Sequence, residues 1–135
     1  MLVQISVFVE NEVGSLARVT AVLREEGINL RAIASIDTPE FGILRIIVDD
    51  PQKTKEVLTH RGFVVKASKV LAIELIDRPG ELDRVLHIIA DAGLTVNYIY
   101  SFVIRNEKSP LMVMHLDDMD RAEKILREHN ITVAG

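Results

Sequence analysis

Cysteine is absent from this 135-residue chain, which excludes disulfide frameworks, thiolate catalysis and Cys-ligated zinc or iron–sulfur sites. Long apolar runs are missing too, since no stretch approaches the roughly eighteen residues that a membrane-spanning helix needs. The opening Met1-Leu2-Val3-Gln4 has no basic segment leading into an apolar run, so no secretory signal is expected. Nor is there an excess of positive charge. Lys and Arg number 16 against 20 Asp and Glu, a net charge of −4, so nucleic acid is a poor partner. Catalytic signatures are equally scarce. His60, His87, His115 and His129 include no i, i+4 pair, no phosphate-cradling glycine loop occurs, and no Ser–His–Asp set assembles. The expectation is a soluble cytoplasmic protein with no enzyme active site, no metal, no cofactor and no membrane partner.

What is present is apolar and repetitive. Apolar residues make up 48% of the chain, enough for a packed core. A shift of 66 residues lays Gly14 on Gly80, Leu16 on Leu82, Arg18 on Arg84, Val19 on Val85, Gly27 on Gly93 and Ile33 on Ile99. With a two-residue insertion near Asn106–Ser109, Asp49-Asp50 then fall on Asp117-Asp118, Leu58 on Leu126 and Val65 on Val133. Ordered matches with one small gap argue for an internal duplication.

Each copy reads strand, helix, strand, strand, helix, strand. Ile5, Val7 and Val9 alternate at period two, as do Leu71, Ile73 and Leu75. Leu16, Val19 and Leu23, and in turn Leu82, Val85 and Ile89, recur on one helical face. Gly27 and Gly93 stand where a left-handed residue ends a helix. Strands are expected over Ile28–Ile36, Leu94–Ile104, Gly42–Val48 and Leu111–Leu116, with closing strands over Phe63–Lys66 and Ile131–Val133. The pairs Asp49-Asp50 and Asp117-Asp118 precede second helices, where capping accounts for them better than acid–base chemistry.

A βαββαβ unit folds as a four-stranded antiparallel sheet with both helices on one face, the ferredoxin-like α+β arrangement. Two such modules, 1–68 and 69–135, are therefore predicted, paired side by side through a join at Ala67-Ser68-Lys69 that has no flexible-linker composition. Tyr98, Tyr100 and Phe102 share strand parity with Leu94 and Val96, so they are expected on the core face rather than as a base-stacking platform.

The strand-to-helix junctions at Gly14 and Gly80 carry the chemistry. A helix N-terminus leaves backbone N–H groups unpaired and partly positive, and a residue without Cβ lets a carboxylate approach them. Arg78 would add a charged donor and Asp77 an acceptor for an ammonium group, together a site for a free amino acid. The alternative is that glycine merely permits a tight turn.

Asp77-Arg78-Pro79-Gly80-Glu81-Leu82, the apolar helix, Gly93 and the following Val96-Asn97 resemble the start of an ACT domain, and the resemblance extends over the chain as two tandem copies. It implies a module that senses small ligands, mostly amino acids, in metabolic regulation. It also implies a ligand between paired modules, where the first loop of one faces the second strand's start in its neighbour. Carried onto this chain, the loop residues are Asn11, Glu12, Val13, Gly14, Ser15 and Leu16, and Asp77, Arg78, Pro79, Gly80, Glu81 and Leu82. The strand starts are Asn29 with Leu30, and Val96 with Asn97. The first copy departs from the pattern, with Glu12-Val13 replacing Arg78-Pro79, so the loop at Gly80 is the stronger candidate. The reading is a non-catalytic amino-acid sensor acting on a partner such as a metabolic enzyme. The alternatives are a ligand-free interaction module or regulatory subunit, and an enzyme built on the same fold. A homodimer is left open.

Overall fold

The computed structural model describes residues 1–102 and 110–134. The expected insertion near Asn106–Ser109 and the last residues of the strand expected to reach Ile104 lie outside them. Two compact units emerge, Val3–Ser68 and Lys69–Gly135, the second joined by Met1–Leu2. Among the described residues no helix is long and apolar enough to cross a membrane.

In the first unit, β1 (Leu2–Val9) leads to α1 (Ser15–Glu25), then β2 (Leu30–Asp37), β3 (Gly42–Val48), α2 (Pro51–His60) and the first part of β4 (Val64–Glu74). The strand order is β2-β3-β1-β4, with β3 antiparallel to both β1 and β2. In the second unit the later residues of β4 serve as the first strand. They are followed by α3 (Glu81–Asp91), β5 (Val96–Ser101), β6 (Leu111–Leu116), α4 (Met119–Glu128) and the short β7 (Val133–Ala134). The order β5-β6-β4-β7 repeats the first unit's. Ala67-Ser68-Lys69 is thus strand interior rather than a connection between strands. Val70 to Ile73 follow as a buried run with no turn residue to interrupt the extended backbone.

Apolar patterning determines which face of each sheet the helices cover. Ile5, Val7 and Val9 of β1, with Leu44, Ile46 and Val48 of β3, meet Val19, Val22 and Leu23 of α1 and Leu58 of α2 in one core. Leu71, Ile73, Met114, Leu116, Val85, Ile89 and Leu126 do the same in the second unit. Each fully buried aliphatic side chain contributes about 1.5–3 kcal/mol relative to exposure. The predicted helix stripes hold at Val19 and Leu23 and at Val85 and Ile89. They fail at their first members. Leu16 and Leu82 remain 40% and 37% exposed.

Capping repeats down to single hydrogen bonds. Asp50 accepts from Lys53 N and Asp118 from Arg121 N, both at 3.1 Å. The first aspartate of each pair does something else: Asp49 accepts from Asn29 N and Asp117 from Thr95 N, tying the start of the second strand to the end of the third. Thr95, not Asn97, is therefore the counterpart of Asn29.

One expectation is overturned. The β2–β3 and β5–β6 registers slip between Leu30 and Ala32 and between Val96 and Tyr98, a bulge at Arg31 and its repeat Asn97. A single extra residue exchanges the faces of everything after it. Ile33 and Ile99 consequently pack on the cores, while Tyr98 and Tyr100 pair across from His115 and Val113 on the opposite face. Tyr98 stacks on His115 with centroids 5.1 Å apart, and Asn97 Nδ2 lies 2.9 Å from His115 Nδ1.

Candidate functional site

Both junctions adopt one backbone solution. Gly14 has φ 82° and ψ 3°, Gly80 has φ 85° and ψ −4°, and each N-caps its helix without any side-chain hydrogen bond. Side chains rarely adopt that conformation, whereas glycine does so without strain. A Cβ built at either position meets nothing within 4 Å. Within the protein the glycine therefore serves the turn, and the space above it is open to a ligand.

The first helical turns are left unpaired in part. Ser15 N and Arg18 N find the carbonyls of Glu12 and Gly14, which leaves Leu16 N and Ala17 N without a partner among the described residues. In the first loop the Ser15 hydroxyl, buried, donates to the Glu10 carbonyl, and Arg18 donates to Glu12 Oε1 at 3.0 Å. In the second, Glu81 occupies the place of Ser15 and is 5% exposed. Arg84 donates to its Oε1 at 2.8 Å and Arg78 to its Oε2 at 3.1 Å. The Arg84 hydrogen bond holds the Glu81 carboxyl below its usual range against the effect of burial, and Arg78 adds to it. The same pairing raises the affinity of Arg84 for its proton. Arg78, expected as a free donor to a ligand, is thus held by a buried carboxylate, although its side chain stays 59% exposed.

A cavity of about 710 Å³ opens beside the first loop. It is lined by the predicted Asn11, Glu12, Val13, Gly14, Ser15 and Leu16, and also by residues not expected at the site, Ser35, Ile36 and Asp37 from the end of β2 with Gly42 and Ile43 from β3. The register brings these together, because Val9 pairs with Gly42 and Gly42 with Asp37. Asn11 fastens the two walls, donating from Nδ2 to the Thr38 carbonyl at 2.7 Å. Gly42 makes room for it, since a Cβ there would stand 3.0 Å from Asn11 Oδ1. The signal for the missed residues was in the topology. With β3 antiparallel to both β1 and β2, the latter two are parallel and end on the same side of the sheet.

The strand starts lie elsewhere. Leu30 pairs with Val48, at the opposite end of β2 from Asp37, about 23 Å away at roughly 3.3 Å per residue. Asn29 and Leu30 therefore do not reach the loop of their own unit. In the second unit Val96 pairs with Leu116 while Glu74, just ahead of Asp77–Leu82, pairs with Leu111, so Val96 and Asn97 are likewise remote from their own loop. Among the described residues no cluster of three or more His, Cys, Asp or Glu could hold a metal.

A family model described as an ACT domain pair matches residues 1–134. Among solved structures, a protein from Bacteroides thetaiotaomicron is 34% identical, with a TM-score of 0.90 over 98% of this chain and 91% of that one. The ligand-free regulatory subunit of aspartate kinase from Thermus thermophilus superposes with a TM-score of 0.68 at 18% identity, covering 93% of this chain and 88% of its own. Its counterpart from Thermus flavus gives 0.64 at the same identity and coverage. The likeness to the two subunits is one of fold. No curated sequence matches this chain.

Proposed function

The chain belongs to the ACT domain pair family, and from that premise we propose that it is a non-catalytic regulatory protein that binds a free amino acid. The site is the cavity beside Gly14. The observation that carries this reading is that a cavity forms on one of the two loops named from sequence, the one at Gly14 rather than the favoured one at Gly80, next to a helix N-terminus that no side chain caps. Leu16 N and Ala17 N are donors suited to a carboxylate, and a volume of about 710 Å³ falls within the roughly 300–1,000 Å³ of small-molecule sites. Glu12, an objection at the sequence level, is neutralised by Arg18. The fold shared with regulatory subunits of aspartate kinase fits a protein that reports on a metabolite to a partner enzyme. Such an effect requires that the ligand bind two states of the protein, or of its complex, with different affinity.

Thermal unfolding against each of the twenty free amino acids at millimolar concentration tests the reading. A ligand at a hundred times its dissociation constant stabilises by about 2.7 kcal/mol. For a chain of this length that is a rise of roughly 9 °C. A flat panel would overturn the sensor in favour of a ligand-free interaction module.

A further inference from the structure

We infer that the cavity beside Gly14 selects an ammonium-bearing ligand with an apolar, branched aliphatic side chain, of the class of valine, leucine and isoleucine, and rejects acidic amino acids and phosphorylated metabolites. This rests on the cavity being the ligand site and adds the chemical class that it admits.

Charge is the first argument. Among the described residues the lining holds the carboxylates of Glu10, Glu12 and Asp37 and no Lys, Arg or His. Glu12 is paired with Arg18, whereas the side chains of Glu10 and Asp37 have no partner among the described residues. The wall therefore carries two carboxylates without an ion-pair partner among the described residues. Low-dielectric walls focus such a field, drawing in a cation and repelling a second anionic group on the ligand. A zwitterion can seat its ammonium toward Glu10 or Asp37 and its carboxylate toward the free N–H groups of α1. A ligand carrying a further carboxylate or phosphate finds no Lys, Arg or His among the described lining residues to meet it.

Apolar exposure is the second argument and is independent of the first. Among the described residues only a few large hydrophobic side chains are exposed, and three of them line this cavity: Val13 at 101%, Leu16 at 40% and Ile36 at 41%. Val9 and Ile43 add further apolar wall. Uncovered apolar surface gathered in a concavity is the surface that a ligand's hydrocarbon would bury. A polar or charged side chain would lose water there without gaining hydrogen-bond partners. The loop at Gly80 is built differently, with Arg78 and Arg84 around Glu81, so the preference belongs to the first unit.

Isothermal titration of the full chain with L-leucine, L-valine, L-aspartate and L-glutamate reads the selection directly. The aliphatic pair is expected to bind at least tenfold more tightly than the acidic pair, a factor equal to about 1.4 kcal/mol. In Asp37→Lys, an exposed position whose folding is checked by circular dichroism, affinity for leucine should fall by roughly fivefold and that for aspartate should rise. Acidic amino acids binding as tightly as aliphatic ones would overturn the inference while leaving amino-acid sensing intact. Aliphatic binding that Asp37→Lys leaves unchanged would overturn the electrostatic basis and the location. Failure of all four ligands in titration would overturn the inference, and a flat twenty-member unfolding panel would overturn the sensor reading with it.

Discussion

Replacing Gly14 by Ala, Asn and Val separates what the turn needs from what a ligand needs. At φ 82° an L-residue carries a strain of about 1–2 kcal/mol, because its Cβ crowds the following carbonyl. Alanine also restricts the unfolded chain, which returns roughly 0.4–1 kcal/mol to the folded state. No collision adds to the balance, since nothing lies within 4 Å of the built Cβ. Gly14→Ala should therefore destabilise by about 1 kcal/mol. At roughly 2.1 cal/mol/K per residue, this lowers Tm by about 3–4 °C. Asparagine tolerates the left-handed region through its own backbone hydrogen bonds, so Gly14→Asn should cost about half as much, and Gly14→Val more than alanine because it is β-branched.

Differential scanning calorimetry ranks the four proteins, and the expected order of stability is Gly, Asn, Ala, Val. If alanine matches glycine, or asparagine proves worse than alanine, the glycine is not there for its φ and the turn argument fails. The same strain acts at Gly80. Gly80→Val, with φ 85° at the replaced position, cannot be expected to block a ligand while leaving the fold untouched, since valine strains that backbone before any ligand arrives. Ligand-induced shifts must be measured relative to each variant's own Tm.

Other outcomes follow from single contacts. Asp50→Ala and Asp118→Ala remove the caps of α2 and α4, and each should cost about 1 kcal/mol in urea denaturation. Glu81 has its carboxyl held below its ordinary value of 4.5, so its pairing with Arg84 and Arg78 contributes stability above that value. That contribution is lost as pH falls through the lower, folded value, and Glu81→Gln should flatten this acid limb in melts recorded across pH 3–6, an interval set roughly by carboxylate titration. Ser15→Glu buries a carboxylate beside an Arg18 that Glu12 already engages, and should destabilise the first unit. Adding Glu12→Arg rebuilds the second unit's arrangement, and a double-mutant cycle should return a favourable coupling of roughly 0.5–3 kcal/mol.

The duplication and the order of elements were legible because apolar period and turn chemistry agree along the chain. Val19 and Leu23 at helical spacing, the Asp50-Pro51 start and Gly42 at the head of β3 each mark an element in few residues. The aromatic face was misread for a physical reason. A bulge leaves no mark in the hydrophobic pattern when both faces of a strand are apolar. In Val96-Asn97-Tyr98-Ile99-Tyr100 either parity supplies large side chains, so only the register with β6 decides. Glycine and its neighbours single out two candidate loops, but nothing local marks the wall opposite the first. Ser35, Ile36 and Asp37 carry no local signal, and they line the cavity because the strand order brings two parallel strand ends together.

The repeated junction can then be divided into what geometry dictates and what it leaves free. Gly14 and Gly80 differ by only 3° in φ, so the backbone of the turn is common to both units. The side chains around it are not. Ser15 fills its buried position with a hydroxyl that needs one carbonyl, whereas Glu81 fills the same position with a carboxylate that needs two guanidinium groups. Position 12 and its repeat 78 follow suit: glutamate stands where the buried neighbour is serine, and arginine where it is glutamate. An arginine at 12 would find no buried anion, and a glutamate at 78 would repel one. The two substitutions are therefore coupled by electrostatics inside each loop, independently of any ligand. Their result is a first loop whose Glu12 is held by Arg18 and a second loop whose Arg78 and Arg84 hold the buried Glu81. One turn, required twice by the fold, thus carries two different arrangements of charge.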